Sequence, residues 1–229
     1  MILCGGRGKR LRPITYTIPK PLIKINEKTI LEYQIELLKR YNISDIVLLV
    51  GWLSEQIVKY FGNGKNYNVN IYYSYEHQTK LLGTAGAIEN AREFIKDTFI
   101  VLNGDKITNL NITEIVKFHK EVRGIGTIAI VDLQSRHGII DTDMTNRITR
   151  FREKPLLPFK INAGIYVFEP NIVDYLPTVG SLEIDVFPKV IKQEKIYGYY
   201  AENIYCKDIG TYKDLEQVSM DLRKGILIT

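Results

Sequence analysis

Ile2-Leu3-Cys4-Gly5-Gly6-Arg7-Gly8-Lys9-Arg10-Leu11-Arg12-Pro13 opens the chain, and Pro19-Lys20-Pro21-Leu22 follows closely. A short apolar run enters a glycine-rich turn that carries Arg10. A lysine held between two prolines comes next. Glycine lacks a Cβ, so the backbone N–H groups of such a turn can approach a phosphate closely. Arg10 and Lys20 add positive charge where negative charge would collect. The glycines alone suit a plain strand-to-helix connection equally well. With Arg10, Lys20 and the flanking prolines, the stretch reads as a polyphosphate cradle at the start of an α/β protein.

Two other glycine motifs are excluded. The dinucleotide fingerprint needs a third glycine where Leu11 stands, and no acidic residue follows on a second strand at the usual distance. The P-loop needs Ser or Thr after Gly-Lys, and Arg10 follows Gly8-Lys9 instead.

Outward from this start, strand and helix signals alternate, which predicts a mostly parallel sheet. Helices are expected over Ile30–Tyr41, after a Ser54 cap with Ile57, Val58 and Phe61 on one face, and from Thr84 to Ala91. Asn111 caps a further helix, and Thr211-Tyr212-Lys213-Asp214 is a capping box that opens the last one. Strands are expected at Asp45–Gly51, Val69–Ser74 and Phe99–Leu102. After Gly126 short strand-like runs dominate: Thr127–Val131, Gly138–Asp141, Ile148–Arg152 and Ala163–Phe168. They predict a mixed or antiparallel extension, followed by a helix near Ile184–Ile191. No linker or repeat divides the 229 residues, so a single domain over 1–229 is expected.

The composition is that of an ordinary globular chain, 45% hydrophobic and 25% charged. No apolar run reaches membrane-spanning length, and Met1 leads directly into the first strand, so neither a membrane segment nor a signal peptide is expected. Cys4 and Cys206 form no metal-binding pair and fit a reducing, cytoplasmic location. His77, His119 and His137 lack metal-ligand spacing. The net charge of +5 suits small anionic substrates. Its lysines and arginines are scattered, which argues against nucleic-acid binding.

Five further stretches carry chemistry. Asn103-Gly104-Asp105 ends a buried strand, the edge where open α/β sheets bind ligands. A carboxylate there can hold Mg²⁺, and the same residues make a favourable β-turn. Asp208, in Lys207-Asp208-Ile209-Gly210-Thr211, is the second carboxylate, and it equally suits a loop before a helix N-terminus. Leu82-Gly83-Thr84-Ala85-Gly86-Ala87 is a small-residue helix start against which a flat base can lie. Phe151-Arg152-Glu153-Lys154-Pro155 places a Glu-Lys pair at a strand end, which is also a common surface feature, and Asn162-Ala163-Gly164-Ile165-Tyr166 leads into a strand-like run.

Taken in order, these runs resemble the G-G-x-G-x-R-L…P-K-P, L-G-T-A-G-A, L-x-G-D, F-x-E-K-P, N-x-G-x-Y and D-I-G-T motifs of the sugar-1-phosphate nucleotidyltransferases. The match extends from Leu3 to about Val218, and Lys9 stands where that family usually has Thr or Ser. The resemblance implies a Rossmann-like mixed, mostly parallel sheet with helices on both faces. It implies a nucleotide site at Leu3, Gly5, Gly6, Gly8, Arg10, Lys20, Glu76, Gln78, Gly83, Thr84 and Asp105. Glu76 and Gln78 are alternatives for reading the base edge, with Glu76 preferred for guanine. A sugar-phosphate site is implied at Gly138, Glu153, Lys154, Asn162, Gly164 and Glu183, and a shared Mg²⁺ on Asp105 and Asp208. Arg10, Lys20, Asp105, Lys154 and Asp208 are the implied catalytic set.

Members with a C-terminal β-helix are much longer, so none is expected here. The implied partners are a nucleoside triphosphate and a sugar 1-phosphate, and a homodimer is compatible with this reading. Several stretches look most like guanylyltransferases acting on manno-configured sugars. A glucose-1-phosphate thymidylyl- or uridylyltransferase is the alternative, and a catalytically silent nucleotide-sugar sensor is the rival from another class. A phosphate monoester is already largely ionised near neutrality, with a second pKa of about 6, so the implied reaction needs no general base.

Overall fold

The computed structural model describes residues 1–193 and 195–226. In chain order its strands are β1 (Ile2–Cys4), β2 (Lys24–Ile25), β3 (Lys28–Thr29), β4 (Asp45–Val50), β5 (Asn70–Tyr75), β6 (Phe99–Asn103) and β7 (Lys106–Thr108). They continue with β8 (Gly126–Gln134), β9 (Ile139–Thr142), β10 (Ile148–Arg152), β11 (Leu156–Phe168), β12 (Ile196–Tyr200) and β13 (Cys206–Asp208). The α-helices are α1 (Ile30–Arg40), α2 (Ser54–Phe61), α3 (Gly83–Asn90), α4 (Ile112–Val122), α5 (Phe187–Ile191) and α6 (Tyr212–Arg223).

Seven strands form the central sheet in the order β12-β8-β11-β6-β1-β4-β5. Every neighbouring pair is parallel except those made by β11, which runs antiparallel to both β6 and β8. The sheet is therefore mixed and mostly parallel, as the sequence predicts.

Strand alternation divides the core between two faces. Ile46, Leu48 and Val50 of β4 join Ile2, Leu102 and Ile165 under α1, α2 and α4. Leu49, Val101, Tyr166 and Phe168 face the other way, against Ala85 and Ile88 of α3 and Phe187 and Val190 at α5. Helices thus cover both faces, which explains why β4 reads as an unbroken apolar run. A third cluster joins Leu11, Ile23, Ile25, Ile30, Ile107, Ile209 and Val218, where α6 closes over the N-terminal segment.

The caps behave as their side chains require. Asn111 accepts from the Glu114 N–H, and Thr211 forms a full capping box with Asp214. Ser54 is not a cap. Leu53 precedes α2 in a left-handed conformation, and Ser54 is the first helical residue. The helix expected near Ile184–Ile191 is instead a π turn over Leu182–Val186 followed by the short α5. Pro188 has no N–H for an ordinary i−4 bond, and the wider turn, closed from the Phe187 N–H to the Leu182 carbonyl, absorbs that loss. β12 was not anticipated, and β11 begins at Leu156 rather than near Ala163.

Candidate active site

The C-terminal ends of β1, β5 and β6 open onto a cavity of about 400 Å³. Leu3, Gly5, Gly6, Gly8, Arg10, Lys20, Glu76, Gly83, Thr84 and Asp105 all lie on its wall. Ten of the eleven residues of the expected nucleotide site are therefore together. Gln78 is the exception: its amide donates to Glu55 at 3.0 Å, on the surface.

The glycine loop is pinned from several sides. The Gly104 and Trp52 N–H groups donate to the carbonyls of Leu3 and Gly5. Gly8 has φ +57, and its carbonyl accepts from Thr15 Oγ1 at 2.9 Å. Gly6 has nothing within 4 Å of where a Cβ would stand, so its backbone faces open space. Lys9 also reaches the cavity wall. Arg7 donates to the carbonyls of Gln78 and Thr79 and so ties the glycine loop to the segment before α3.

The segments that carry Arg10, Asp105 and Asp208 lie side by side because their apolar residues pack together. Leu11 follows Arg10, Ile107 lies just beyond Asp105, and Ile209 follows Asp208; all three sit in the same buried cluster. Burying a Leu or Ile side chain contributes about 1.5–3 kcal/mol, enough to hold these loops together. Gly210 completes the arrangement: a Cβ there would stand 3.0 Å from the Arg10 guanidinium carbon. The Ile209 N–H donates to the Asp105 carbonyl at 2.8 Å, so the two aspartate-bearing segments are hydrogen-bonded neighbours. Lys20 Nζ stands 2.5 Å from Asp105 Oδ2, and Lys106 contacts the Asp208 carboxylate. Asp208 itself is not on the cavity wall; its neighbour Gly210 is.

Glu76 is the half-buried acid of the segment before α3. Its carboxylate accepts from the Leu82 N–H at 2.6 Å and stands where a side chain on Gly5 would be. Burial raises its pKa above the ordinary glutamate range, and the Leu82 N–H pulls it partly back. Gly83, at φ +78, lets the Gly180 carbonyl come close, and that carbonyl accepts from the Ala85 N–H at 3.0 Å. This leaves the α3 terminus satisfied by protein.

The residues expected on the sugar side fall into two sets, Gly138 with Glu153 and Lys154 and Asn162 with Gly164 and Glu183, and none of the six is on the cavity wall. Glu153 and Lys154 lie where β10 leads into β11, with Lys154 Nζ 3.6 Å from Glu153 Oε1 and both side chains more than half exposed. Gly138 abuts Phe151 and Glu153. Asn162 donates to the Tyr166 hydroxyl at 2.9 Å and accepts from the Gly164 N–H at 2.7 Å. Burial pushes the Tyr166 phenol well above its usual range, so its hydroxyl stays protonated and donates to Glu183. Glu183 also accepts from Thr84 Oγ1, which joins the two halves of the site.

The nucleotidyl transferase family model matches residues 1–225. The chain belongs to the nucleotidyl transferase family. The chain is 38% identical to a UTP–glucose-1-phosphate uridylyltransferase of Synechocystis sp., over 95% of its own length and 61% of the relative's. It is also 38% identical to a mannose-1-phosphate guanyltransferase of Candida albicans, over 93% and 61%. The chain thus spans about three fifths of the curated relatives it matches. Among solved structures, HddC from Yersinia pseudotuberculosis superposes with a TM-score of 0.76 at 27% identity, covering 96% of this chain and 97% of that one. The same protein complexed with GMP-PN gives 0.75.

Two features escape a reading by motif. Lys106 and Tyr166 both sit inside or beside recognised runs, yet Lys106 pairs with Asp208 on a distant strand and Tyr166 with Glu183 in the π turn. The available signal was a lysine directly after Asp105, opening the short run Lys106-Ile107-Thr108.

Proposed function

We propose that the protein transfers a nucleotidyl group from a nucleoside triphosphate to a sugar 1-phosphate, releasing pyrophosphate. GTP is the favoured donor and a manno-configured hexose or heptose 1-phosphate the favoured acceptor. The observation that carries the reading is the single cavity holding the glycine loop, Arg10, Lys20, Asp105 and Glu76.

An acceptor phosphate oxygen attacks the α-phosphorus of the triphosphate, and the bond to the bridging oxygen of pyrophosphate breaks. Arg10 and Lys20 stabilise negative charge on the transferring and leaving phosphates. The backbone N–H groups of the glycine loop orient the triphosphate, and Glu76 accepts from the base edge. Glu153 and Asn162 bind sugar hydroxyls, Gly138 and Gly164 allow the sugar to approach, Lys154 fixes the attacking phosphate, and Glu183 orders the sugar-side wall. Catalysis then comes from in-line positioning.

Magnesium suits the donor set. Asp105 and Asp208 offer hard carboxylate oxygens, and the cavity wall carries Asn103, whose Oδ1 is buried without a hydrogen-bond partner. Asp105 and Asp208 would hold the ion, which supplies charge neutralisation to the phosphates.

Guanine rests on Glu76, whose carboxylate can accept from the N1–H and N2–H₂ edge, on the C. albicans guanyltransferase and on the GMP-PN complex of HddC. The Synechocystis relative, equally similar, favours UTP with glucose 1-phosphate as the second reading. A cytoplasmic location fits the two free cysteines. Pyrophosphate release is the deciding assay, with GTP, dTTP, UTP, ATP and CTP each paired with mannose, glucose and heptose 1-phosphates. GTP with a manno-configured acceptor should give the highest kcat/KM. A preference for UTP or dTTP with glucose 1-phosphate overturns the guanylyl assignment, and no release with any pair overturns the enzyme.

A further inference from the structure

Lys106 enters β7 immediately after Asp105 and stands directly opposite Asp208 in the antiparallel β7–β13 pair. Its ammonium contacts the Asp208 carboxylate, and its side chain is only 8% exposed. The lysine stem runs against Gly164 of β11, where a Cβ would lie 2.5 Å from Lys106 Cε. Gly164 has φ +70, a conformation L side chains rarely adopt, so the sugar-side strand is shaped around this lysine. Gln34 Nε2 donates to the Lys106 carbonyl at 3.0 Å and fixes the backbone. The stem is therefore held by its surroundings, and the terminal ammonium is the part left to move.

Burying a lysine beside a ligand site carries a desolvation cost. Here the cost is offset by Asp208, and the consequence falls on the carboxylate. An aspartate paired with a lysine presents much less negative charge to an incoming cation. Asp105 is also paired, with Lys20, but Lys20 belongs to the phosphate loop and has phosphates to turn to. Among the described residues, no group of three or more His, Cys, Asp or Glu side chains converges as a metal cage. The cation therefore finds two aspartates, each already neutralised by a lysine of this chain.

We infer that Lys106 is a positioning residue that acts as the internal counter-ion of Asp208: it holds the carboxylate in place and keeps divalent-cation affinity low until a cation arrives with the triphosphate. The inference rests on Asp208 being a cation ligand, as proposed above. A lysine that merely stabilised the strand pair would leave cation affinity unchanged or lower it on removal. A counter-ion that competes for the carboxylate raises cation affinity on removal.

The test uses Mn²⁺ alone as probe, with free ion measured by electron paramagnetic resonance against the full chain without nucleotide. Lys106→Met should bind Mn²⁺ about tenfold more tightly than wild type. Lys106→Gln, which keeps a donor for Asp208 without the charge, should do the same, and Lys106→Arg should return affinity to the wild-type level. In an Asp208→Asn background, Lys106→Met should make no difference. Thermal melts identify any variant that is not folded, and the Gln variant then carries the comparison. Equal or weaker binding by the neutral variants, or no Mn²⁺ binding by any protein, overturns the inference. Absence of nucleotidyl transfer with the Mn²⁺ tightening intact overturns the proposed reaction and leaves the counter-ion standing. Normal transfer with unchanged Mn²⁺ binding does the reverse.

Discussion

The proposed nucleotide side and the proposed sugar side of the site are built on different principles. The first lies at parallel strand ends, and its wall is largely backbone: Gly5, Gly6, Gly8, Gly83 and Gly104. Its ion pair, Lys20 with Asp105, is short and mostly buried. The second hangs on the β9–β10 hairpin and the projecting half of β11, where Ile140, Phe151, Leu156 and Phe159 are exposed. Its ion pair, Glu153 with Lys154, is long and solvated, and exposed pairs of this kind contribute about 0–1 kcal/mol. A rigid backbone cradle suits a triphosphate that every donor shares. Side chains held by weak pairs cost little to redirect toward one particular acceptor.

The largest effect that sharpens this contrast is expected at Asp105. Asp105→Ala removes a proposed cation ligand and the partner of Lys20 together. Turnover with Mg²⁺ should fall by about 10³-fold or more, roughly 4 kcal/mol of transition-state stabilisation. Near-normal turnover of the folded variant in a pyrophosphate-release assay would remove Asp105 from the mechanism.

Lys154→Ala should act on one substrate. Losing a charge-assisted hydrogen bond costs about 1.5–3 kcal/mol, so the KM for sugar 1-phosphate should rise roughly 10–100-fold while the nucleotide KM stays near wild type. Equal rises for both substrates would erase the distinction between the two sides.

Gly164→Ala probes the seam between them. A Cβ there would crowd Lys106 Cε and Asn103 Nδ2 at a positive φ. The variant should lose about 1–3 kcal/mol of stability, read by chemical denaturation. An unchanged midpoint would mean that the seam is soft.

The smallest effect is expected at Glu76, and it depends on pH. Burial raises its folded pKa, so the folded state holds this proton more tightly than the unfolded chain does. The resulting stabilisation is fully present below the unfolded glutamate pKa and is lost as pH rises through the folded value. Glu76→Gln should remove that part of the decline in melting temperature from acid toward neutral pH. Parallel melting curves for the two proteins across that range would count against a folded pKa of Glu76 raised by burial.

Much of the molecule was legible before its structure. The apolar run of β4, the Thr211–Asp214 capping box and the glycine loop each encode their conformation locally. Glycine permits a left-handed turn, Thr and Asp satisfy free N–H groups, and two-sided burial demands an unbroken apolar strand. The elements missed were those with weak local signals. β12, Ile196-Tyr197-Gly198-Tyr199-Tyr200, has a glycine at its centre and joins the sheet through β8 alone. The π turn depends on Pro188 acting against the turn before it.

By itself, the sequence determined that this is a mostly parallel α/β chain with a glycine-rich loop and acidic residues at strand ends, because those properties are written in short runs of residue types. Tertiary structure alone decided that Glu76 rather than Gln78 lines the cavity, that Glu183 bridges to Thr84, and that Lys106 is paired with Asp208. Each of these is a contact between segments distant in sequence. Each is set by strand register and by which buried neighbours, such as Leu11, Ile107 and Ile209, pack into one cluster. A one-residue change of register would turn Lys106 to the opposite side of its strand with no change in any motif, so no local pattern can carry that information.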